Sequence, residues 1–133
     1  MGAKPRGTRR DVHIAGRIAL TLVAVLHLGF LVLEMFIWDT PTGRRIFGLS
    51  AELSAASAKL AANQGLYNGF LAAGLLWAAF GTFAGADAVR VALFFLGCVI
   101  VAGVYGGLTT KRSILFMQAL PGVVAAAVVW LAR

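Results

Sequence analysis

Residues 18–38 have the sequence IALTLVAVLHLGFLVLEMFIW, in which Glu34 is the one carboxylate and His27 the one histidine. A helix rises about 1.5 Å per residue, so about 20 apolar residues cross the ~30 Å hydrocarbon core of a bilayer. Three further apolar runs follow, at 64–83, 91–108 and 113–131. These runs are continuously apolar rather than alternating, and a helix satisfies its own backbone hydrogen bonds in lipid. The sequence therefore predicts four membrane-spanning helices.

The composition supports lipid as the solvent. The chain has 133 residues, of which 60% are hydrophobic and 13% are charged, and its mean hydropathy is +0.87. A soluble domain of this size cannot bury so much apolar surface, and a disordered chain is far more polar. The net charge of +7 lies on residues that flank the apolar runs, where basic side chains face anionic headgroups. We therefore expect the lipid bilayer, and not nucleic acid, as the partner of these charges.

Short polar breaks set the order of the spans. They fall at 39–45, 85–87 and 109–112, and the last two are so short that the spans they join must be antiparallel neighbours. The predicted fold class is therefore all-α, an integral membrane four-helix antiparallel bundle. Residues 1–17 form a basic N-terminal tail, and residues 18–133 form a single transmembrane domain.

The connection between spans one and two contains a more polar helical pattern. Within residues 50–62, Leu53 and Leu60 are spaced as on one helix face, whereas Glu52 and Lys59 lie elsewhere around the turn. The segment is too short and too polar to span a bilayer. We expect a short amphipathic helix that lies in the membrane interface.

Basic residues give the orientation. With four spans, both termini lie on one side together with seven basic residues, and five lie on the other side. For a multi-pass membrane protein, the positive-inside rule then predicts cytoplasmic termini.

Polar side chains within the spans collect at one membrane side. Antiparallel alternation brings the end of span one, the start of span two, the end of span three and the start of span four to the same leaflet. Inside a bundle, such side chains usually face inward and mark functional sites. We predict a polar intramembrane pocket near that leaflet, with these ligand-binding residues beside Glu34: Asn63, Gln64, Tyr67, Asn68, Tyr105 and Gln118.

His27 and Glu34 are the candidate catalytic pair. They are seven residues apart, so they share one helix face and lie about 10 Å apart along the axis. Lining one cavity, they could pass protons, because histidine titrates near neutrality. The alternative is structural: Glu34 reaches to the interface and His27 bonds a neighbouring helix. Two candidate ligands at this spacing are too few for zinc, so we expect no metal and no cofactor.

Two glycine motifs repeat at the polar end. Gly65 and Gly69 in span two match Gly103 and Gly107 in span three, and small residues at this spacing let helix backbones approach closely in lipid. We expect these glycines to pack spans two and three against each other. The alternatives are packing in a homodimer and space for a ligand beside the tyrosines.

Several segments resemble a bacterial membrane-protein family catalogued as domain of unknown function 1304. The likeness covers nearly the whole chain from about Arg17 onward, and NQGLYNG at 63–69 is its most specific part. The resemblance implies a four-span inner-membrane protein without an assigned activity. The segments that carry it are EMFIWDTP at 34–41, Gly43-Arg44, FGL at 47–49, AANQGLYNGF at 61–70, FLG at 95–97 and QALP at 118–121.

Three functions fit these features. The first is the binding or conversion of a small amphipathic, lipid-like ligand, with Glu34 as acid, base or cation partner. The second is proton-coupled export of cationic compounds by a small transporter. The third is a non-catalytic accessory subunit of a larger membrane complex. The sequence alone does not decide whether the protein is an enzyme.

Overall fold

The computed structural model of the chain describes residues 12–82 and 85–133, and this part is helical without strands. Residues 1–11 of the predicted basic tail and Phe83 of the second predicted span lie outside it. The helices are α1 (Ile14–Val32), α2 (Pro41–Phe47), α3 (Ala51–Phe80), α4 (Ala86–Thr109) and α5 (Leu120–Leu131). A π-helical segment, Leu33–Ile37, extends α1, and a second one, Leu115–Ala119, precedes α5. The prediction of an all-α protein is confirmed.

Two helical segments have the length and composition needed to cross a membrane. They are Ile14–Ile37 and Ala86–Thr109, each of 24 residues with a mean hydropathy of 2.3. The helical segment Leu115–Leu131 is apolar but shorter. A membrane protein is consistent with these helices.

The described residues form two compact units. The hairpin unit is Ala24–Ala73, which contains the end of α1, its π-helical extension, α2 and most of α3. The terminal unit consists of residues 12–23 and Gly74–Arg133, with α4 and α5 as its main helices.

Helix α3 differs from the prediction of a surface helix followed by a separate span. The segments 50–62 and 64–83 were expected to be distinct, but Ala51–Phe80 is one helix of 30 residues. Neither proline nor glycine, the two residue types that most disfavour a helix interior, occurs between Ala51 and Gln64. At about 1.5 Å per residue α3 is roughly 45 Å long, longer than the ~30 Å core of a bilayer.

Hydrogen bonds fasten the chain after α1 to the first turns of α3. The Ser54 hydroxyl, which is fully buried, lies 2.7 Å from Asp39 Oδ1 and 3.2 Å from the Trp38 carbonyl oxygen. The Trp38 indole N–H donates to Ser57 Oγ at 3.0 Å. Asp39 also pairs with Arg44 at 3.2 Å. Each polar group thus finds a partner where the chain reverses direction.

Helix α2 is short and capped at both ends. The Thr40 hydroxyl accepts from the Gly43 N–H at 3.1 Å, which satisfies one of the unpaired donors of the first turn. Gly48 ends the helix with a φ of 70°, a left-handed conformation that glycine adopts without strain. A side chain at Gly43 would overlap the carbonyl oxygens of Ile37 and Trp38.

In the terminal unit, small residues bring α4 and the last helical segment together. A Cβ atom at Gly103 would lie 2.8 Å from Ala119 Cα, and one at Gly122 would lie 3.0 Å from Ile100 Cγ1. Gly107 faces Leu115 in the same way. Residue numbers rise on one helix as they fall on the other, so the two helices run antiparallel.

Each π-helical segment contains a predicted site residue. Glu34 lies in Leu33–Ile37, and Gln118 lies in Leu115–Ala119. In the second segment the Leu120 N–H bonds to the Leu115 carbonyl, and Pro121 follows directly without an N–H of its own. Such bulges in α-helices occur often at functional sites.

Candidate functional site

Glu34 and Asn68 form the central polar contact of the hairpin unit. The Asn68 side-chain amide donates to Glu34 Oε2 at 2.7 Å, which joins the π-helical extension of α1 to α3. Asn68 is only 4% exposed, and Glu34 is partly buried. A carboxylate has about four acceptor positions, so one amide donor leaves acceptor capacity on Glu34.

Two predicted packing glycines make this contact sterically possible. A Cβ atom at Gly65 would lie 2.7 Å from Met35 Cγ and 3.1 Å from Glu34 Cβ. A Cβ atom at Gly69 would lie 2.7 Å from Leu31 Cδ1. Because both positions lack a side chain, α3 approaches α1 closely enough for the short Asn68 side chain to reach Glu34.

The partners of the four glycines differ from those expected. We predicted that the motifs of spans two and three pack against each other. The nearest neighbours of Gly65 and Gly69 are instead in α1 and its extension, and those of Gly103 and Gly107 are in the segment Leu115–Ala119. The glycines do mark close helix packing, but each pair serves a different helix pair.

His27 lies on the same side of α1 as Glu34, earlier in the helix. It is fully buried, and its ring meets that of Phe30 edge to face with centroids 5.6 Å apart. The rise of the helix puts it about 10 Å from Glu34 along the axis, too far for a direct hydrogen bond. His27 therefore belongs to the packed interior, and a role in proton transfer stays a prediction.

The other predicted residues of α3 lie on its exposed surface. Asn63 and Gln64 are exposed, and Tyr67 is 51% exposed with its ring 6.0 Å from that of Phe70. Of the residues predicted in this helix, only Asn68 contacts Glu34 through a described hydrogen bond. Asn63, Gln64 and Tyr67 could therefore contact only a ligand on the outer surface of α3, and not one held between α3 and the extension of α1.

Tyr105 and Gln118 belong to the terminal unit. Tyr105 is 70% exposed on α4 and borders an apolar groove with Phe94 and Val101. Gln118 is partly buried in its π-helical segment. Their predicted role beside Glu34 stays a prediction.

The sequence interpretation missed the polar network of Trp38, Asp39, Ser54 and Ser57. Ser54 and Ser57 have the three-residue spacing of one helix face, and this spacing is the signal that could have placed them against the preceding segment. The network joins the chain four to five residues after Glu34 to the first turns of α3.

Within residues 12–82 and 85–133, no group of three or more histidine, cysteine, aspartate or glutamate side chains could hold a metal ion. The chemistry available at Glu34 and Asn68 is therefore that of a carboxylate and an amide. Such a pair accepts hydrogen bonds from an ammonium or hydroxyl group and can exchange a proton with it.

Comparison with known proteins supports the sequence resemblance. The model of the family described as "Protein of unknown function (DUF1304)" matches residues 21–130. The "Uncharacterized protein YpaA" of Lactococcus lactis subsp. lactis (strain IL1403) is 34% identical over 104 residues, which are 76% of this chain and 85% of that protein. No solved structure matches the chain.

Proposed function

The chain belongs to the DUF1304 family of proteins of unknown function, and from its own geometry we propose that it is an integral membrane protein whose Glu34 and Asn68 bind the polar head of a small amphipathic, lipid-like ligand. The observation that carries the proposal is the 2.7 Å hydrogen bond between a carboxylate of an apolar helix and a buried amide of the next long helix. Ionisable side chains within membrane spans are energetically costly and for that reason usually mark functional sites.

The membrane location is supported by where the apolar side chains lie. Only 22% and 28% of the residues in the two most apolar helix windows are buried inside the protein. Large side chains such as Leu22, Phe94 and Val101 are exposed. In water such a surface would be strongly unfavourable, whereas in a bilayer it faces hydrocarbon.

We propose a four-span topology in which α3, through its apolar half, and the segment Leu115–Leu131 cross the bilayer as well. The N-terminal half of α3, which carries Glu52 and Lys59, then extends beyond the membrane. The termini are cytoplasmic, as the distribution of basic residues favours.

Labelling of single cysteines tests this topology. Cys98 is the one cysteine of the chain, so Cys98→Ser gives a cysteine-free protein into which single cysteines can be introduced. In intact cells, a membrane-impermeant maleimide should label Lys111→Cys directly and Arg90→Cys only after permeabilisation. Labelling of both positions from the same side would contradict an odd number of crossings between them.

The chemistry of Glu34 and Asn68 indicates which kind of lipid head group they would bind. Among the described residues the ion pairs are Arg44 with Asp39 and Arg90 with Asp87, so neither of these pairs includes Glu34. A carboxylate held by a neutral amide is complementary to a head group that is cationic or donates hydrogen bonds. We therefore propose an amine or hydroxyl head joined to an apolar tail that stays in the lipid.

Binding of matched amphiphiles tests the proposal. The purified protein in lipid nanodiscs is titrated with dodecylamine, dodecanol and dodecanoate, which share one tail and differ in charge. Dodecylamine should raise the melting temperature most, because a ligand that binds only the folded state stabilises it. Glu34→Gln should abolish that increase while leaving the protein folded.

Glu52→Gln is the matched control, because Glu52 is an exposed carboxylate on α3 outside the proposed span. It should respond to dodecylamine as the wild type does. An equal response from Glu34→Gln, or an equal response to all three amphiphiles, would overturn the proposal. In that case stoichiometric copurification with a larger complex would support the accessory-subunit hypothesis instead.

A further inference from the structure

The turn between α4 and the last helical segment contributes a cationic side chain, Arg112, to the lining of a groove. The N–H groups of Thr110 and Lys111 both bond to the Gly106 carbonyl, at 2.9 and 3.1 Å, and reverse the chain. The Leu115 N–H then bonds to the Arg112 carbonyl at 3.1 Å and begins the next helical segment. The backbone therefore fixes the position of Arg112.

The groove beside this turn is lined by both apolar and polar residues. Leu108, Leu115 and Phe116 supply its apolar lining. Thr109, Thr110 and Arg112 supply its polar lining, and the Thr109 hydroxyl donates to the Tyr105 carbonyl at 2.7 Å. Because the Thr109 hydroxyl is already used, the side-chain donors available to a ligand are the Arg112 guanidinium and the Thr110 hydroxyl.

Among residues 12–82 and 85–133, no salt bridge includes either cation of this turn. Lys111 and Arg112 are both exposed, and the ion pairs of the described residues are made by Arg44 and Arg90 instead. The nearest carboxylate in the sequence is Asp87, at the other end of α4. A ligand that neutralises this charge must therefore be an anion.

We infer that this groove, defined by Gly107–Thr110, Arg112, Leu115 and Phe116, binds an anionic phospholipid. A guanidinium is suited to phosphate oxygens because it can donate two parallel hydrogen bonds, and the apolar wall is suited to an acyl chain. The end of a membrane-crossing α4 lies at headgroup depth, where lipid phosphate groups and the adjoining acyl chains are both within reach. The inference rests on the proposed membrane location but not on the proposed ligand of Glu34.

Native mass spectrometry of the full chain in detergent tests the inference with two probes, dioleoyl phosphatidylglycerol and dioleoyl phosphatidylcholine. The wild type should prefer the anionic lipid. Lys111→Gln/Arg112→Gln should reduce the affinity for it by up to about 30-fold, because each exposed ion pair contributes up to about 1 kcal/mol and about 1.4 kcal/mol is tenfold. Phe116→Ala should weaken binding of both lipids and keep the preference, since its side chain is 69% exposed on the apolar wall.

Arg45→Gln/Lys59→Gln is the matched control, because it removes two exposed charges from the hairpin unit. It should bind the anionic lipid as the wild type does. An equal loss in this control would show general charge attraction and overturn the inference. So would equal affinity for the two lipids, unchanged binding in Phe116→Ala, or competition by inorganic phosphate as strong as that by the lipid.

These outcomes are separable from those of the Glu34 experiment. A protein that is absent from the membrane fraction would contradict the proposed function itself. A membrane-extracted protein without lipid preference contradicts only the lipid site.

Discussion

A single methyl group at Gly65 should loosen the contact that positions Glu34. In Gly65→Ala the new Cβ would lie 2.7 Å from Met35 Cγ, 3.1 Å from Glu34 Cβ and 3.1 Å from the Leu31 carbonyl oxygen. The Met35 side chain is flexible and can move, but the other two atoms move only with α1. The helices must therefore separate by a few tenths of an ångström.

Gly29→Ala provides the reference for the size of this effect. Gly29 is also in a helix of the hairpin unit, and a Cβ there would meet no atom within 4 Å. Any gain in helix propensity, at most about 1 kcal/mol, is common to both variants. The difference between them isolates the overpacking, which typically costs about 1–3 kcal/mol.

Unfolding of the detergent-solubilised protein by sodium dodecyl sulfate, followed by tryptophan fluorescence, measures this difference. Gly65→Ala should unfold at a lower denaturant fraction than Gly29→Ala, by about 1–3 kcal/mol. If the two free energies of unfolding agree within about 0.5 kcal/mol, the close approach of α3 to Glu34 is refuted.

Three further predictions concern the hairpin unit. Ser54→Ala should lower the free energy of unfolding by about 1–2 kcal/mol in the same assay, because it removes the buried hydroxyl that lies within hydrogen-bond distance of Asp39 Oδ1 and the Trp38 carbonyl oxygen; no change would mean that the network is not formed. Gly48→Ala should cost about 1–2 kcal/mol, since an alanine at a φ of 70° is strained, and a neutral result would contradict the left-handed end of α2. The hydrogen bonds from its own backbone N–H and from the Ser50 hydroxyl lower the pKa of Glu52, so the carboxylate stabilises the fold above its ordinary pKa and loses this effect as the pH falls through the lowered value. Ser50→Ala should therefore reduce the acid sensitivity of unfolding, and pH profiles identical to wild type would contradict this.

The sequence predicted the long apolar helices because their apolar runs are long and end at clear polar breaks, such as Thr110 to Arg112 between α4 and the final segment. It did not predict α2 (Pro41–Phe47), because residues 39–45 were interpreted as a polar break between spans. It also singled out Glu34 and Asn68, since a charged and an amide side chain are conspicuous in apolar surroundings. Their pairing depends on the register of two helices distant in sequence, which periodicity alone does not give.

The sequence was less informative about α3 and the glycines. Polarity changes along α3 near Asn63, and we interpreted that change as a boundary between two segments. A change in polarity does not by itself end a helix, and the stretch around Asn63 contains neither a proline nor a left-handed residue that would interrupt the backbone hydrogen bonds. The glycine motifs indicated close packing correctly, but composition carries no information on which neighbour fills the space that each glycine leaves open.

The most direct test of the central claim is an experimental structure of the protein in lipid with a bound alkylamine whose tail ends in bromine. The anomalous signal of the bromine gives the direction of the tail, and the density of the head gives the position of the nitrogen. We predict the amine nitrogen within about 3 Å of a Glu34 carboxylate oxygen, with Asn68 still bonded to the other oxygen. An amine bound elsewhere, or Glu34 and Asn68 side chains pointing away from each other, would contradict the account.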